Sequence, residues 1–164
     1  MKLGIMSDTH DNLRMIDKAV QLFTAEGVEA VLHAGDFIAP FSVRRLLGGL
    51  KVPLYGVFGN NDGERVQLKA LLGDRLRPSP AVWDLGPWRV LVAHELEENV
   101  GRALAASGVF RLVVFGHTHK PLHEQVGEVL LVNPGECGGW LYGKATVAVV
   151  DLASLEVRFF TLDG

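Results

Sequence analysis

The sequence predicts an α/β fold in which two mixed β-sheets pack together with helices outside. Three observations lead there. Up to about residue 115, short apolar runs alternate with amphipathic stretches; beyond it, apolar runs follow one another with no helical pattern between them. Several runs, Leu112-Val113-Val114-Phe115 among them, are apolar throughout, as suits a sheet covered on both faces. The 164 residues, 48% of them hydrophobic, are enough to bury a sizeable core, and residues 1–164 read as one domain.

The elements follow in order. Residues 3–6 form the first strand. Residues 12–26 place Leu13, Ile16, Val20 and Phe23 on one helical face, with Gly27 as a stop. A strand over 30–34 precedes a short helix over 41–47 behind Pro40, and a strand over 53–58 precedes a helix over 63–72 closed by Gly73. Residues 81–85 and 88–93 form a hairpin around Gly86-Pro87. A helix over 96–106 and a strand over 111–115 complete the alternating part. Strands over 122–126, 129–132, 145–150 and 157–162 make up the rest.

Composition narrows the function classes. The formal net charge is −3 and lysine and arginine do not cluster, so no nucleic-acid-binding face is expected. Cys137 stands alone, which excludes a disulfide framework. The first residues reach Asp8 too early for a signal peptide, and no apolar run approaches the roughly 20 residues that cross a bilayer. A cytoplasmic protein without a membrane partner is expected. Strands in the all-β tail leave homo-oligomer formation open.

Chemistry concentrates just beyond predicted strand ends. Asp8 and His10 follow the first strand, Asp36 the second, Asn60 the third, His94 the strand over 88–93, and His117 and His119 the strand over 111–115. Parallel strands bring their carboxyl ends to one edge, where ligands bind in open α/β sheets. The spacing of two in Asp8-x-His10 and His117-x-His119 points each pair the same way from extended chain. Gly35, Gly59 and Gly116 allow sharp turns without a Cβ penalty. Taken singly, each piece reads as a turn. Together they make a set of carboxylate, carboxamide and imidazole donors without thiolate, suited to Mn, Fe, Zn or Co and unlike a structural zinc site. Seven donors exceed one tetrahedral ion, whereas two ions sharing a carboxylate at about 3.5–4 Å would use them all. His94-Glu95 does not open a His-Glu-x-x-His motif, because position 98 is Glu98.

The series Asp8/His10, Gly35-Asp36, Gly59-Asn60, His94 and Gly116-His117/His119 resembles that of the calcineurin-like metallophosphoesterase superfamily, most closely its small single-domain phosphodiesterase branch. The likeness runs to about Pro134 and includes Asn133-Pro134-Gly135. It implies a four-layer α/β/β/α sandwich and a binuclear hydrolase acting on a small phosphodiester. Asp8, His10 and His119 would hold one divalent ion, Asn60, His94 and His117 the other, and Asp36 both. Mn is the first choice of metal, with Fe, Zn, Ni or Co as alternatives. A bridging water with its pKa drawn towards ~7 is the expected nucleophile, and the Asn61 amide N–H is expected to take up phosphoryl charge. Many relatives carry a proton-donating His where Asn61 stands. Asn61 is no general acid, so a slower reaction or one favouring good leaving groups is expected, with Asp62 orienting Asn61 or the Asn60 loop. Glu136 stands where the branch usually has Ser and supplies no hydroxyl.

The remaining residues read as structural: His33 as a satisfied core histidine, His123 as surface, Cys137 as inert, Trp83 and Trp88 as packing, Arg14 and Arg65 as solvated helix residues. The rival reading is a non-catalytic scaffold of the same fold, as in a trafficking relative that has lost its ligands. A full set of seven metal-competent positions favours the enzyme.

Overall fold

The computed structural model describes residues 1–163. In chain order the elements are β1 (Lys2–Met6), α1 (Leu13–Glu26), β2 (Ala30–His33), α2 (Pro40–Gly49), β3 (Leu54–Val57), α3 (Arg65–Leu72), a 3₁₀ turn (Gly73–Arg75), β4 (Leu76–Arg77), β5 (Ala81–Leu85), β6 (Trp88–Val92), α4 (Glu98–Ala106), β7 (Leu112–Val114), β8 (Leu122–Val126), β9 (Val129–Asn133), β10 (Thr146–Asp151) and β11 (Glu156–Thr161). They form a six-stranded sheet, β11-β10-β1-β2-β3-β4, and a five-stranded sheet, β5-β6-β7-β9-β8. Strands β1 to β4 run parallel, as do β6, β7 and β9; β5, β8, β10 and β11 join antiparallel, so both sheets are mixed.

Side-chain alternation along the strands divides the apolar residues into three buried layers, which is the signature of four stacked layers. Leu3 and Ile5 of β1, Val90 and Val92 of β6, Leu112 and Val114 of β7, Leu130 and Val132 of β9, and Ala148 and Val150 of β10 meet between the sheets. Their neighbours face outward. Met6, Val31, Val147 and Val149 pack under Met15, Ile16, Phe23, Val43, Leu46 and Leu68 of α1–α3. Leu91, Val113 and Leu131 pack under Ala105 of α4. The order is therefore α/β/β/α, as expected.

Local chemistry sets the helix ends. The Asn12 side chain caps α1 by accepting the Met15 N–H, and Gly27, at φ 68°, closes it in the left-handed region. Pro40 occupies the first turn of α2, where its missing N–H costs nothing. Most boundaries fall within one residue of the sequence reading, and three helix ends differ by two: α2 extends to Gly49, while α3 and α4 start at Arg65 and Glu98. Strand β4 was not predicted. Two residues carry no periodicity, and Leu76–Arg77 becomes a strand only by pairing with Gly56 and Val57.

Phe23 lies over Gly4, where a Cβ would come within 2.8 Å of the ring. Replacement Phe23→Ala empties that position and should lower unfolding free energy by about 3–5 kcal/mol in urea titration. A loss below about 1 kcal/mol would show that α1 does not depend on this contact.

Candidate metal centre

Six parallel strands end at one edge, β1, β2 and β3 from the first sheet and β6, β7 and β9 from the second. The residues that follow them close on each other. Asp8 Oδ1 lies 3.6 Å from His10 Nε2 and 3.3 Å from His119 Nε2. Asp36 Oδ2 lies 3.2 Å from His10 Nε2 and 3.5 Å from His94 Nε2. His94 Nε2 in turn stands 2.8 Å from Asn60 Oδ1 and 3.3 Å from His117 Nδ1. All seven predicted donors thus meet in two adjoining groups, with Asp36 between them.

Hydrogen bonds turn the donor atoms inward. Ser7 Oγ–H and the His117 backbone N–H donate to Asp8 Oδ2, leaving Oδ1 buried without a partner. His94 Nδ1–H donates to the Ala34 carbonyl at 2.8 Å, which turns the Nε2 edge of the ring to the centre. Asn61 donates to Asp36 twice, from its backbone N–H to Oδ1 at 2.9 Å and from Nδ2 to Oδ2 at 2.8 Å. Asp62 is turned away from the donors. It accepts the backbone N–H groups of Asp36, Ile38 and Gly59, tying the loops after β2 and β3 together.

Backbone geometry corrects one sequence argument. Asp8, His10, Asp36, His117 and His119 all have positive φ, between 42° and 66°. The pairs do not converge as alternating residues of an extended chain; left-handed loop conformations aim them, and His117 and His119 serve different groups. Such conformations cost of order 1–3 kcal/mol each and cluster at functional sites. Of the three glycines, Gly35 alone has positive φ, at 100°. Gly59 and Gly116 are required by close approach instead: a Cβ would fall 2.1 Å from Asp36 Oδ1 in the first and 2.1 Å from Ser7 Oγ in the second.

The charge balance asks for cations. Burial opposes ionisation of Asp8, but His10, His119 and Ser7 hold its carboxyl well below the usual range. Asp36 is likewise lowered, by His10, His94 and Asn61 against its burial. His10 is raised to about 10 because Asp36 and Asp8 face it, outweighing partial burial. Without a metal, an imidazolium supplies the positive charge. The unpartnered buried atoms Asp8 Oδ1 and His10 Nε2, and the grouping of Asp8 with His10 and His119 and with Asp36 and His94, fit divalent ions.

Most residues outside the donor set take the places expected of them, but Arg65 donates to the Asp62 and Gly59 carbonyls of the loop after β3 rather than standing free in solvent. His33 is fully buried, stacked on Phe37, with Nδ1 accepting from the Gly35 N–H and Nε2 paired with Thr9 Oγ; burial pushes it down to about 3. His123 is exposed, and burial raises the Cys137 thiol pKa. Sequence reasoning missed Glu136. It follows β9, the sixth strand of the edge, and Oε1 lies 2.9 Å from His119 Nδ1. The same strand-end rule applied to β9 would have found it. A cleft of about 540 Å³ between Trp88, Phe110 and Gly127 lies at the starts of β6, β7 and β9, away from these donors.

A two-sheet sandwich carrying this donor set defines a metallophosphoesterase. Residues 1–155 match the calcineurin-like phosphoesterase superfamily domain, and the chain belongs to that superfamily. It is similar to phosphodiesterase MJ0936 of Methanocaldococcus jannaschii, 38% identical over 168 residues, with 99% of this chain and 100% of the relative covered. Phosphodiesterase YfcE of Escherichia coli K12 is 29% identical over 153 residues, covering 82% and 78%. A solved archaeal phosphodiesterase superposes with a TM-score of 0.89 at 37% identity, over 99% of this chain and all of the other. No helix among the described residues is long and apolar enough to cross a membrane.

The raised His10 has a consequence for pH. A histidine whose folded pKa exceeds its ordinary 6.5 stabilises the metal-free fold fully below that value, and the contribution fades as pH rises through about 10. The depressed Asp8 and Asp36 contribute above the ordinary carboxylate range and lose this only in acid. In chelator, the thermal midpoint should therefore fall from pH 6.5 towards pH 10 more steeply for wild type than for His10→Gln. Equal slopes would contradict the assignment of that charge to His10.

Proposed function

We propose that this chain, acting as a single cytoplasmic domain, is a binuclear metal-dependent phosphodiesterase that hydrolyses small phosphodiesters, with Mn as the first choice of metal. Asp36 carries the reading. Its Oδ2 stands between two imidazole groups, 3.2 Å from His10 and 3.5 Å from His94, as a carboxylate shared by two cations must. Asp8, His10 and His119 would hold one ion, and Asn60, His94 and His117 the other. When bound, such a pair supplies a water acidified to act as nucleophile near neutral pH and Lewis acidity for the phosphoryl oxygens.

The chain's own residues prepare that chemistry. Asp8 and Asp36 stay ionised despite burial, and the Ala34 carbonyl keeps the Nε2 edge of His94 inward. Asn61 also sets the Asp36 carboxylate, through two N–H donors. Asp62 anchors both loops beneath it. Neither amide of Asn61 can protonate a departing alkoxide, so esters with acidic leaving groups react best. Beside His94 and Asn60 lies a cleft of about 330 Å³ lined by Phe58, Arg65, Pro80 and Glu95, which would take one ester arm. A scaffold with a vestigial site is not favoured, because every one of the seven positions keeps a competent donor and they all converge.

With Mn²⁺, wild type should hydrolyse bis-p-nitrophenyl phosphate and lose the activity to chelator. Asp36→Asn should lose more than the roughly 10–100-fold that changes outside a ligand shell cost. Absence of hydrolysis above background, or an Asp36→Asn trace equal to wild type, would contradict the proposal.

A further inference from the structure

Glu136 is 1% exposed, and no lysine or arginine is paired with it among the described residues. A carboxylate at that depth needs compensation. It receives the backbone N–H groups of Trp140 and Leu141, the latter at 2.8 Å on Oε1. The remaining partner is His119. Oε1 lies 2.9 Å from Nδ1, at ion-pair distance though short of hydrogen-bond alignment, and that buried nitrogen has no other acceptor. The opposite nitrogen, Nε2, faces Asp8 Oδ1.

We propose that Glu136 is a positioning residue for one metal: its carboxylate fixes His119 as the Nδ1–H tautomer that offers Nε2 beside Asp8, and it pins the loop at Trp140–Leu141 to the same point. This rests on the metal-centre reading above. Two physical consequences follow. A carboxylate behind an imidazole raises its basicity more than a neutral carbonyl does, and the corresponding acceptor for His94 is the Ala34 carbonyl. The two groups of donors are therefore unequal. Asp8 and the Glu136-backed His119 form the more negative group, whereas Asn60 contributes a neutral donor to the other. The first ion binds at Asp8, His10 and His119, and Glu136 sustains the difference. The loop consequence concerns Trp140, whose indole N–H donates to the His10 carbonyl at 3.2 Å, so the tethered loop also braces the turn that carries His10.

The test is calorimetric titration of Mn²⁺ into metal-free wild type and Glu136→Gln. Wild type should show two ions of unequal affinity. In the variant the tighter step should weaken by about 10- to 100-fold with the weaker step unmoved. Because Glu136→Gln also disturbs two backbone contacts, a second measurement needs no variant of that residue. In the Zn²⁺-loaded wild type, two-bond ¹H–¹⁵N spectra should show the His119 proton on Nδ1, with His119→Gln identifying the signal. Unchanged affinities for both ions in Glu136→Gln, or a proton absent from His119 Nδ1, would overturn the inference while leaving the binuclear reading intact. Failure of wild type to bind Mn²⁺ at all would instead remove the reading beneath it.

Discussion

Asp36 places a negative charge at 1% exposure between His10 and His94, and much of the rim is arranged around making that tolerable. A buried carboxylate survives ionised only when hydrogen bonds and opposite charge replace its water. Asn61 supplies two N–H groups, Asp62 holds the Asp36 backbone N–H, and two imidazoles face one oxygen. Asp8 repeats the pattern with Ser7, His10 and His119. The protonated His10 is a placeholder: the same geometry that raises its pKa to about 10 is what would attract a divalent ion and expel the proton.

The sandwich makes such an arrangement affordable by distributing it. Three strands from each sheet deliver their carboxyl ends to one edge, so no single loop must carry every donor. Inter-sheet packing of Ile5, Leu32, Val92, Val114 and Val132 sets the distance across which the two halves meet. On that frame the strained loops are short. Left-handed residues at Asp8, His10, Asp36, His117 and His119 aim the donors, and the absent Cβ atoms of Gly59 and Gly116 leave room for Asp36 and Ser7. Strain at these positions is held in place by a core with no comparable irregularity in its strands.

Much of this was legible in the sequence, for a physical reason. Apolar runs and helix stops are local, so the layers and most elements could be read directly, and the seven donors stood out because polar residues at strand ends are chemically conspicuous. What depended on three-dimensional neighbours was not legible. Strand β4 exists through its partner β3. The convergence of Asp8 with His10 was foreseen but for the wrong reason, since periodicity of two does not describe residues at φ 54° and 42°. The two bonds of Asn61 to Asp36 were likewise not foreseen. Glu136 could have been picked out as a polar residue beyond β9, but its place behind His119 depends on the pairing of β9 with β7.

The most direct test of the central claim is a crystal structure grown with Mn²⁺ and examined by anomalous diffraction at the manganese edge. Two peaks are predicted, one held by Asp8, His10 and His119 and the other by Asn60, His94 and His117, with Asp36 ligating both. A single peak, or two peaks that Asp36 does not bridge, would contradict it.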